Sequence, residues 1–119
     1  MTDWYTRPVF FVADVARVLD FYVGRLGFRE KWRHADGGEL LVAQADRDGC
    51  EIIFSSQWPE KVGRGMVFIS LSPADFAALP NELEDKGVAL KKGHWGYPVL
   101  VVTDPDGNEL YFPDPGEDS

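Results

Sequence analysis

Apolar positions along this chain fall into short runs separated by glycine-bearing turns, and one stretch in each half carries the spacing of a helix. RPVFFVAD (7–14) is rich in Val and Phe, as a buried strand is. Asp14 can then cap a helix, because its short carboxylate can accept from the free amides of a first turn. Val15, Val18, Leu19, Tyr22 and Leu26 share one helical face, and Gly24 and Gly27 supply the stop. FREKWRH (28–34) alternates imperfectly, since Phe28, Lys31 and Trp32 break any simple period. Asp36-Gly37-Gly38 is a turn signal. ELLVAQA (39–45) reads as a strand, DRDG (46–49) as a turn and CEIIFSS (50–56) as another strand, so the first half reads β-α-β-β-β.

The same order then returns. QWPEKVGRG (57–65) combines Pro59, Gly63 and Gly65 with mixed charge, as a linker does. MVFISLS (66–72) is an apolar strand, and Ser72-Pro73 offers a cap followed by proline at the first helical position. The helix that follows contains Pro80, which removes a backbone donor and is expected to kink or split it, before Gly87 ends it. VALKKGH (88–94), YPVLVVTD (97–104) and NELYFP (108–113) complete the half as strands. Gly27-Phe28 and Gly87-Val88 stand sixty positions apart, and helix, glycine stop and three strands all recur. The expected fold is α+β, built from modules at 6–56 and 64–113 joined by a linker at 57–63. Each module has a sheet with one helix on one face, so the other face must enclose a cavity or meet a second sheet.

The segment DPDGNEL (104–110) concentrates carboxylates and poses a choice between a metal loop and a turn. Pro105 fixes one backbone angle, Asp106-Gly107-Asn108 tolerates tight geometry, and strands flank both sides. A calcium loop needs more oxygen ligands at alternating positions and a closing glutamate, a pattern this segment lacks. It therefore reads as a hairpin turn whose carboxylates mostly face water.

Composition narrows the function classes. With 119 residues, 45% of them hydrophobic, the chain can bury a real core. Twelve basic against 20 acidic residues give a net charge of −8, which disfavours nucleic acid and anionic membrane and attracts cationic partners, although it also serves solubility alone. The single cysteine, Cys50, forbids an internal disulfide and suits a reducing compartment. No apolar run approaches the roughly 20 residues of a membrane span, and a cytoplasmic protein is expected. No Ser-centred elbow, phosphate-binding glycine loop or CxxC motif is present. Cys50 has no base placed near it by the sequence and reads as inert.

FFVADVARVLDFYVGRLGF (10–28) and VVTDPDGNELYF (101–112) together resemble the vicinal oxygen chelate superfamily of glyoxalases, extradiol dioxygenases and fosfomycin- and bleomycin-resistance proteins. The points of likeness are VAD, then FY, then LGF, and the final hairpin. The resemblance implies a β-α-β-β-β module used twice. It also implies metal ligands on the first and last strands of each module. Here those places fall at about Arg7, Ile53, Gly65 and Tyr111, which are poor ligands. His34 and His94, again sixty apart, read as separate loop histidines, and Glu51 and Glu109 lie a strand step or two away from the ligand places.

Within that superfamily the chain is most similar in character to the bleomycin-resistance proteins, whose members are metal-free acidic dimers binding a cationic drug between subunits. Trp95-Gly96 matches their WG before a strand, and Trp32 falls where they carry an aromatic on the ligand groove. The resemblance implies a metal-independent small-molecule binder, an antibiotic-sequestering homodimer with no cofactor, whose ligand is cationic and aromatic. Aromatic faces stack on planar heterocycles and attract cations. The candidate ligand-binding residues are Trp32, Phe54, Trp58, Trp95, Tyr97, Tyr111, Arg7 and Arg64, with no catalytic or metal residue named. Each tryptophan has a plain alternative as a core or interface residue, and an arginine in the cavity argues against a purely cationic ligand. The competing readings are a glyoxalase-like lyase or dioxygenase with an unusual metal site, and a protein whose cavity is filled and whose role is partner binding.

Overall fold

The computed structural model describes residues 4–116. β1 (Val9–Phe11) leads into α1 (Val15–Gly24), then β2 (Arg29–Asp36), β3 (Glu39–Arg47) and β4 (Cys50–Ser55). A short 3-10 turn at Pro59–Lys61 precedes β5 (Met66–Phe68), α2 (Pro73–Asp85), β6 (Lys91–His94), β7 (Pro98–Thr103) and β8 (Glu109–Pro113). Two four-stranded mixed sheets result, ordered β1-β4-β3-β2 and β5-β8-β7-β6. In each, the first and last strands of the module run parallel and the hairpin strands antiparallel. This is an α+β fold of two matching modules.

The local chemistry explains the elements. The Asp14 carboxylate accepts from the Arg17 amide and the Ser72 hydroxyl from the Asp75 amide, so both helices start where a capping side chain stands. Gly27 and Gly87 have φ of +74° and +70°, the left-handed region that ends a helix and that other residues enter at a cost. α2 runs unbroken through Pro80, so the proline does not split the helix. The proline ring lies on the exposed side, where water can satisfy the carbonyl that loses its partner. β5 and β6 are shorter than the apolar runs that announced them. Ile69 still donates to Tyr111 O past the end of β5.

Strand alternation assigns the faces. Phe10, Ile52, Phe54, Ala43 and Ala45 of the first sheet point toward α1, and with Val18, Tyr22 and Leu26 they form a buried core. Leu79 and Leu83 of α2 join the same core together with Val102, Leu110 and Phe112 of the second sheet. One apolar interior thus connects the modules.

The DPDGN turn is not a water-facing loop. Asp104 is buried and accepts from the amides of Asp106 and Asn108, the Asn108 side chain and the Tyr22 hydroxyl. Asn108 is also buried and bridges to Phe11 O and Gly65 N. The turn therefore ties the second module to α1 and β1 of the first. Asp106 reaches Arg17 at 2.8 Å.

Two open sheet faces as the candidate site

The sheet faces that do not carry the core hold most of the aromatic residues singled out in the sequence. On the first sheet, Val9, Ile53, Gln44 and Trp32 stand in one cross-strand row. Trp32 is 38% exposed, and its indole N–H donates to Gln44 Oε1 at 2.9 Å. Arg7 donates to the same oxygen at 3.1 Å. The Gln44 amide nitrogen donates to Asp46 and Glu51, at 2.9 and 2.8 Å. Farther along, the Trp58 ring meets Phe11 edge-on at 5.6 Å, and the Lys61 ammonium lies over both rings.

On the second sheet, the Phe68 and Tyr111 rings stack with centroids 5.1 Å apart, and Trp95 closes edge-on against both. Phe68 and Tyr111 are register partners on β5 and β8, which is why their rings overlap. Trp95 is 52% exposed at the tip of the β6–β7 hairpin, where its amide donates to Tyr97 O. That tip needs Gly96 at φ +76°, so a tight-turn requirement underlies the WG pair. The Tyr111 hydroxyl donates to Glu109, and burial followed by this bond pushes its pKa above the ordinary phenol value.

The structure sorts the other candidates as follows. Phe54 does not line an open face. It is fully buried, with its ring 4.5 Å from Tyr22 and 6.4 Å from Phe10, because strand alternation turns it toward α1 and gives the open position to Ile53. Tyr97 is exposed beside Trp95 without a ring partner among the described residues. Arg7 is engaged by Gln44 and lies over the Tyr5 ring. Arg64 is exposed and makes no ion pair among the described residues. Two functional candidates escaped the sequence reading. Phe68 was hidden in a run read only as apolar, and Gln44 is the one polar residue inside LLVAQA.

A divalent metal does not fit the places where the resemblance implies ligands, at about Arg7, Ile53, Gly65 and Tyr111. They hold a guanidinium at Arg7, a hydrocarbon at Ile53, no side chain at Gly65, and at Tyr111 a phenol bonded to Glu109. His34 and His94 lie exposed on strands of different sheets. No group of three or more His, Cys, Asp or Glu side chains converges among the described residues.

A cavity of about 470 Å³ lies between α2, the core-facing side of the second sheet and the rim of the first module, and Phe68 also borders it. Leu26, Phe28, Leu79, Val102 and Leu110 line it, and Cys50 borders it. Burial, and then the charges of Asp46 and Glu51, push the Cys50 thiol up to about 11, which leaves it protonated and unreactive near neutrality. None of the eight candidate ligand-binding residues lines this cavity.

No helix among the described residues is long and apolar enough to cross a membrane. No curated protein matches the sequence. The fold is similar to that of TnmS3, an antibiotic binding protein from Streptomyces sp. CB03234, with a TM-score of 0.74 and 20% identity over 95% of this chain and 97% of that one. It is also similar to the bleomycin-binding protein of bleomycin-producing Streptomyces verticillus, solved with copper(II)-bleomycin, at a TM-score of 0.72 and 22% identity over 95% and 98% of the chains. A lactoylglutathione lyase from Agrobacterium tumefaciens shares the fold at a TM-score of 0.70 and 12% identity over 94% and 93%. A family model described as Glyoxalase/Bleomycin resistance protein/Dioxygenase superfamily matches residues 3–112, nearly the whole chain, and the chain belongs to that superfamily.

Proposed function

We propose that this protein is a metal-independent small-molecule binder that sequesters an antibiotic-like, planar and cationic ligand, and that it acts as a homodimer. The observation that carries the reading is the pair of open aromatic sheet faces, with Phe68, Trp95 and Tyr111 on one and Trp32 on the other. Exposed aromatic clusters of this kind are unusual on a surface that serves only solubility. They offer stacking and cation–π contacts to a planar cation, while the net charge of −8 raises its local concentration. Sequestration needs affinity and no reactive group, and the donor set at the superfamily's metal positions is unsuited to a metal. Each face is open on one side, so a second copy set against it would complete a cleft and exclude water from the ligand. The likeness to proteins described as antibiotic-binding and bleomycin-binding agrees with this reading.

The test is a tryptophan-fluorescence titration of the purified protein with metal-free bleomycin, corrected for inner-filter absorption. We expect saturable quenching near one drug per chain, abolished in Trp32→Ala and Trp95→Ala variants that still fold. The absence of a saturable change up to high micromolar drug would sink bleomycin as the ligand, and a stoichiometric bound divalent metal would favour the enzyme reading instead.

A further inference from the structure

Gln44 is a polar side chain only 1% exposed, flanked on β3 by the buried Ala43 and Ala45. An amide costs free energy to bury unless every donor and acceptor is satisfied, so an apolar residue would be the simpler choice here. All of its capacity is used. Two donors, the Trp32 indole N–H and Arg7, converge on the amide oxygen. Two carboxylates, Asp46 and Glu51, accept from the amide nitrogen. Reversing the amide would set N–H against N–H on one side and oxygen against carboxylate on the other, so its orientation is dictated by its neighbours. It stands on the open side of the sheet, opposite the side that carries the core.

We infer that Gln44 is the positioning residue of the first open face: it fixes the plane of the Trp32 indole and holds Arg7 back from the ring. The inference deepens the proposed function and rests on it for the ligand, a planar cation that stacks on Trp32. With Arg7 bound to the Gln44 oxygen, its charge is anchored at the amide rather than left free to compete for the indole. Without Gln44 the indole can rotate about its side-chain bonds, and the ordering it loses must be restored each time a ligand binds.

The test has an arm that needs no ligand. In wild-type protein at neutral pH, the Trp32 indole N–H should exchange with solvent several-fold more slowly in NMR than those of Trp58 and Trp95, which have no acceptor among the described residues. The Trp32 signal is assigned with Trp32→Phe. Gln44→Met, of similar length but without an acceptor, should speed its exchange to the level of the other two. Equal exchange rates for the three indoles in wild-type protein overturn the inference, and that reading stands even if Gln44→Met does not fold. The second arm is the titration with metal-free bleomycin. Gln44→Met should weaken binding about tenfold, and a folded Gln44→Met that binds as tightly as wild type overturns the inference. If wild-type protein does not bind bleomycin, the proposed ligand fails while the exchange measurements still decide the role of Gln44.

Discussion

Four donors converge on the carboxylate of Asp104, two backbone amides, one side-chain amide and the Tyr22 hydroxyl, and that convergence holds the last hairpin against the first helix. Burial raises the Asp104 pKa above its ordinary 3.8, while the amide bonds oppose the rise. Burial also pushes the Tyr22 hydroxyl up, helped by the charge of Asp104, so the phenol stays a donor. Asp104→Asn keeps the volume but turns an amide N–H toward groups that are themselves donors. It should cost about 2–3 kcal/mol, the penalty for unpaired buried polar groups. Tyr22→Phe removes one bond and should cost about 1–2 kcal/mol, since the hydroxyl bonds a charged group. Urea denaturation of the two variants and the double variant measures both, and the double should cost less than the sum because the groups are in contact. The sequence showed the turn in DPDGN and could not show its burial, because turn propensity is local and the Tyr22 contact spans most of the chain. Phe54 was misplaced for a related reason: in an apolar run such as EIIFS, alternation alone does not say which face is inward until a helix lands on one of them.

The elements themselves were the most legible part. Asp14 and Ser72 mark both helix starts, and Gly27 and Gly87 mark both ends, because capping is a short-range effect of a few atoms. Strand lengths were less legible. VALKKGH promised a longer strand than Lys91–His94, since an apolar residue such as Val88 can be buried in the core without joining a ladder. Gly65 shows why a residue between elements is constrained. A Cβ there would lie 2.6 Å from the Phe10 ring and 2.8 Å from Asn108 Oδ1, so β5 can approach β1 only with glycine at that place. α2 carries the clearest local conflict, a proline inside a continuous helix. Pro80→Ala restores a backbone donor on an exposed position, and a helix-interior proline costs about 3 kcal/mol, offset in part by the looser unfolded chain. The variant should therefore gain roughly 1–2 kcal/mol, a rise of several degrees in the thermal midpoint of a domain this size, read by circular dichroism. An unchanged or lower midpoint would mean that the restriction proline places on the unfolded chain outweighs the restored hydrogen bond.

At the scale of the whole molecule, the repeat was visible in the sequence and the way the modules meet was not. Beside the shared apolar core, polar contacts distant in sequence join them: Tyr22 to Asp104, Arg17 to Asp106, Arg25 to Lys86 O, and Arg47 to Glu82. Arg47 is central among these. Its guanidinium pairs in two-pronged fashion with Glu82 on α2, at 2.6 and 2.9 Å, and also donates to Leu26 O beyond α1. The hydrogen bonds from Arg47 hold the Glu82 carboxyl below its ordinary 4.5. A depressed folded-state pKa means that the unfolded chain takes up its proton first. The stability contributed by the pair is therefore complete above about pH 4.5 and is lost as pH falls through the lower folded value. Both side chains are about one-third exposed, so solvent screening limits the contribution to at most about 1 kcal/mol. Glu82→Gln should thus be slightly less stable than wild type in urea at pH 7. The gap should narrow as the pH is taken below the ordinary carboxylate range, because wild type then loses the charge that the variant never had. A gap that stays constant across this range would mean that the pair contributes packing alone. The relative placement of the two modules would then rest on the shared apolar core and on the Asp104 anchor.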